Sequence, residues 1–88
     1  MNRFEAHDQA LARRMQLMER IQRFVDGTDV SVEAAQLIEV GLDDAFPDNP
    51  RVGETVLMLA SYRPGGGESL FGEAEMQLNL QALVPRLR

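Results

Sequence analysis

Residues 17–35 read Leu17-Met18-Glu19-Arg20-Ile21-Gln22-Arg23-Phe24-Val25-Asp26-Gly27-Thr28-Asp29-Val30-Ser31-Val32-Glu33-Ala34-Ala35, and this stretch decides the fold. Leu17, Met18, Ile21, Phe24 and Val25 repeat at three- and four-residue intervals, the spacing of one helical face. Gly27 follows, a residue free to take the left-handed conformation that closes a helix. Ser31 then stands where an N-cap belongs, with Glu33 in the first turn, where the helix dipole favours negative charge. One helix ends and a second begins within a few residues. Upstream, Phe4 and Leu11 carry the seven-residue recurrence of Met18 and Val25 back to the start of the chain, so the first helix covers about residues 3–26.

Downstream the same signals recur. Ala34, Leu37, Ile38, Leu42 and Ala45 keep helical spacing over 32–45, and Gly41 among them points to a close helix crossing. Phe46-Pro47-Asp48-Asn49-Pro50 breaks the pattern, because proline disfavours helical geometry in the residue before it. Asn49 caps a third helix over 50–62 with Pro50 at its first position. Its inner face comprises Val52, Val56, Leu57, Leu59, Ala60 and Tyr62. The β-branched run from Val52 to Val56 is compatible with a strand, but the cap and the length argue for helix. Residues 63–69 form a loop, and Leu70 and Phe71 tuck beneath the bundle. A last helix over 72–84 turns Met76, Leu80, Leu83 and Val84 inward and stops at Pro85. Four amphipathic helices with short connections predict an all-α fold, a small antiparallel four-helix bundle formed by residues 1–88 as one domain.

The chain has 88 residues, a net charge of −5 and no cysteine. Thiolate metal sites, disulfides and thiol catalysis are thereby excluded. The start of the chain lacks the apolar stretch of a signal peptide, and the longest apolar run, Val56 to Ala60, is far short of a membrane span. A cytoplasmic protein is expected. All nine basic residues are Arg. Residues 27–76 carry a net charge of −8, whereas residues 1–26 carry +1. Direct nucleic-acid binding is disfavoured, because its affinity comes from cations neutralising phosphates.

Few residues suggest catalysis. His7, the one histidine, lies beside Asp8 with no nucleophile nearby, and reads as a surface or capping residue. Asp43, Asp44 and Asp48, with Glu68, Glu73 and Glu75, are the only oxygen-rich clusters, and neither fits a calcium-loop spacing. Gly65-Gly66-Gly67 is no phosphate loop, since the chain has no lysine. No cofactor, metal or enzymatic activity is expected. The methionines, Met15, Met18, Met58 and Met76 among them, fall mostly at core spacing. What remains is an acidic helical surface, suited to a basic protein partner.

Ile21-Gln22-Arg23-Phe24 with Val30-Ser31-Val32-Glu33-Ala34-Ala35, then Leu57-Met58-Leu59-Ala60-Ser61-Tyr62-Arg63-Pro64 and Glu68, Phe71, Glu73 and Glu75, carry a resemblance in pattern. They resemble the colicin D immunity family of small, acidic, all-helical proteins. The triple glycine and Pro47 and Pro50 depart from that pattern. The resemblance implies an immunity protein that binds the toxic domain of a tRNA-cleaving nuclease and excludes its substrate. It assigns partner contacts to Tyr62, Glu68, Glu73 and Glu75. Charge alone adds Asp43, Asp44 and Asp48, and the exposed loop adds Arg63. The alternative is a small helical adaptor or homo-oligomer, a homodimer paired through the heptad Phe4, Leu11, Met18 and Val25.

Overall fold

A computed structural model describes residues 3–65 and 72–87, with side chains from residue 9 onward. Its elements are α1 (Arg3–Val25), α2 (Val32–Ala45), α3 (Pro50–Ala60) and α4 (Glu73–Leu83), followed by a 3-10 turn over Val84–Leu87. Among the described residues there is no strand. The caps are those that local chemistry requires. Gly27 has φ +81°, and the Thr28 and Asp29 amides bond back to the Arg23 carbonyl. The Ser31 hydroxyl accepts from the Ala34 amide while donating to Asp29. Asn49 accepts from the amides of Arg51 and Val52, with Pro50 at the first helical position. These side chains satisfy donors that a helix start leaves without partners. Pro85 ends the α-helical run but not the winding of the chain, which continues as the 3-10 turn.

The helices close a ring in space, α1 packing on α2 and α4, and α3 packing on α2 and α4. Leu17, Ile21, Phe24, Ile38, Leu42, Val52, Leu59, Tyr62, Met76, Leu80 and Leu83 fill the centre. Thr55 is buried with them, and its hydroxyl donates to the Asn79 side-chain oxygen at 2.8 Å, joining α3 to α4. Gly41 makes the expected close crossing: a Cβ there would lie 2.8 Å from Leu17 Cδ1. Gly41→Val adds branches that meet the buried Leu17 side chain and costs about 1–3 kcal/mol of stability. Chemical denaturation checks this. A Gly41→Val protein as stable as the parent would contradict the close packing of α1 on α2.

Several expected inward positions point outward. Leu37 is 49% exposed and Leu57 73%, each on the flank of a helix whose opposite side already fills the core. Met15 is 64% exposed and Leu11 51%. Their part of α1 overhangs the bundle. Its 23 residues span about 34 Å at 1.5 Å per residue, whereas α3 and α4 have 11 residues each. Residues 9–16 are all exposed, and burial on α1 begins at Leu17. The heptad is therefore split. Met18 and Val25 pack on the core, Leu11 faces solvent, and Phe4 lies outside the described side chains.

Candidate partner-binding site

The expected contact residues fall into two groups at different places in the fold. The end of α1, the start of α2, the end of α3 and the start of α4 meet around Tyr62. Its ring stacks edge-on against Phe24, with centroids 5.1 Å apart and planes at 67°. Its hydroxyl donates to the Val30 carbonyl. The Gln77 amide donates to the Phe24 carbonyl at 3.1 Å, joining α4 to the same corner. Tyr62 is fully buried. The assignment of Tyr62 to partner contact is therefore corrected: the phenol is a core group that ties α3 to the α1–α2 connection. A polar tip on a large apolar ring makes it suited to that position, because the buried hydroxyl finds an acceptor there.

Arg63 and Glu73 also serve this corner. The Arg63 guanidinium donates to the Tyr62 carbonyl at 2.6 Å. Glu73 accepts a hydrogen bond from the Gly65 amide, so one carboxylate holds the far side of its own loop. Glu73 and Glu75 lie in the first turn of α4, where the helix dipole stabilises them. Their placement has a local structural reason. Glu68, Leu70 and Phe71 lie outside the described residues.

Tyr62 offers a direct test of this corner. Burial first, and then the Glu73 carboxylate, push the phenol above its ordinary value of 10.0. An unfolded tyrosine ionises near pH 10, so the contribution to stability is complete below about pH 10 and is lost as pH rises toward the folded value. Tyr62 is the only tyrosine and the chain has no tryptophan, so phenolate absorbance reports this group alone. The expected titration lies above that of free tyrosine, and Tyr62→Phe removes the corresponding alkaline loss of stability. Ionisation at the ordinary value with the fold intact would contradict the buried corner.

The other group is at the α2–α3 connection. Asp43 and Asp44 occupy the last turn of α2, and Asp48 lies in the turn that follows; all three are exposed. Pro47 and Pro50 restrict the backbone there, and Asn49 fixes the start of α3 through its two amide contacts. Unlike Glu73 and Glu75, the Asp43–Asp44 pair stands at the wrong end of its helix. The partial negative charge of a helix C-terminus disfavours carboxylates by about 0.3–1 kcal/mol each. No basic residue occupies that turn. Glu39 also stands one turn before Asp43, and like charges at this spacing repel. Local stability does not account for this placement.

Asp44 differs from Asp43 in its surroundings. It lines a groove of about 500 Å³ between α1 and α2, together with Arg13, Arg14 and Arg20. Arg14 also lies over the Phe46 ring, 5.1 Å from its centroid, a cation–π contact that ties α1 to the end of α2. Of these three aspartates, Asp43 and Asp48 lie outside the arginine-lined groove. Sequence reading missed the groove itself, where Leu37, Val40 and Asp44 of α2 face the arginines of α1. The signal for it was the overlap of α1 arginines with apolar α2 positions beyond the core face.

Among the described residues, no three His, Asp or Glu side chains gather as a metal site, and no helix is long and apolar enough to cross a membrane. No protein-family model, curated protein or solved structure matches the chain.

Proposed function

We propose that the chain is a non-enzymatic binding protein that covers a basic surface of a partner protein, and that the partner is a nuclease toxin domain. The observation that carries this reading is the exposed Asp43–Asp44 end of α2, followed by Asp48 on a proline-stiffened turn. Carboxylates kept where the helix dipole opposes them serve something other than the helix. Together with Asp48 on its restricted turn, they present negative charge in place of phosphates. A nuclease needs a positive cleft to attract its substrate, so its cleft is the complementary surface. The pattern resemblance to the colicin D immunity family narrows the partner class to a nuclease, and to a tRNA-cleaving one in particular. An immunity protein protects its own cell, which suits a cytoplasmic site of action and a chain without cysteine.

The mechanism is steric and electrostatic. Asp43 and Asp48 engage cations of the partner's cleft, and the bundle behind them blocks the nucleic acid. The interaction strengthens encounter more than it strengthens the final complex, so its rate falls as salt screens the charges. The experiment is recovery of tagged protein from its own cells at low and high salt, with mass spectrometry and a nuclease assay on what is recovered. The expected result is one basic protein with nuclease activity, retained at low salt and released at high salt. Recovery of the bait alone, or of partners indifferent to salt, contradicts the proposal.

A further inference from the structure

We draw no further inference here: the strongest candidate, the groove between α1 and α2 where Arg13, Arg14 and Arg20 face Leu37, Val40 and Asp44, is an unpartnered face of mixed charge, and nothing in the structure shows what covers it.

Discussion

Tyr62→Ala is expected to leave a protein close to unfolding at room temperature. The ring is fully buried against Phe24, and its hydroxyl occupies the Val30 carbonyl. Truncating a buried aromatic costs about 3–5 kcal/mol through lost transfer energy and the cavity left behind. A domain of this size has a total stability at the low end of the usual range of about 5–15 kcal/mol. One residue therefore carries a large share of the total. Tyr62→Phe separates the two contributions: it keeps the ring and loses the hydrogen bond, costing about 1–3 kcal/mol for the carbonyl left without its partner. Urea denaturation of the three proteins gives both numbers. Equal stability of Tyr62→Ala and the parent would mean that the phenol is a surface group after all.

The second large effect is on binding. Asp43→Lys combined with Asp48→Lys is expected to weaken the complex with the basic partner by about tenfold or more, chiefly through a slower association rate. Stability moves the other way for Asp43. Placing a cation in the last turn of α2 favours the helix dipole by about 0.3–1 kcal/mol and removes repulsion from Glu39. Asp43→Lys alone should thus melt at a higher temperature while binding less well. This opposition between stability and affinity is the signature of a residue kept for contact. A variant that loses both together would return Asp43 to an ordinary surface role.

The helix boundaries were legible in the sequence because caps are local. Gly27, Ser31, Asn49 and Pro50 act within a few residues of where they stand, and their geometry follows from their own side chains. Gly41 was legible for a related reason, since a glycine inside a good helix asks for a neighbour at close range. The facing of the helices was less accessible. Leu37 and Leu57 satisfy helical spacing, yet α2 and α3 each carry apolar residues on more than one side. Spacing alone cannot choose which side meets the other helices. The overhang of α1 depends on a comparison of lengths across the whole bundle, which no local window contains.

The candidate site was half legible. Acids at 43, 44 and 48 were visible as a cluster, and with the helix end at Ala45 already legible their unfavourable position at a helix C-terminus could be read from the sequence as well. Tyr62 was misassigned because the family resemblance placed it among the partner contacts, although helical spacing had already put it on the inner face of the third helix. The residues that bury it, Phe24 and Val30, lie more than 30 positions away. Asp44 looked identical to Asp43 in sequence and differs only through the arginines of α1.

The measurement that tests inhibition most directly is a titration of the recovered partner's nuclease activity with this protein, using tRNA and DNA as separate substrates. The account predicts that activity falls in proportion to added protein until the two are equimolar, and that Asp43→Lys with Asp48→Lys needs a clear excess to achieve the same block. Nuclease activity unchanged by an equimolar amount of folded protein would contradict it.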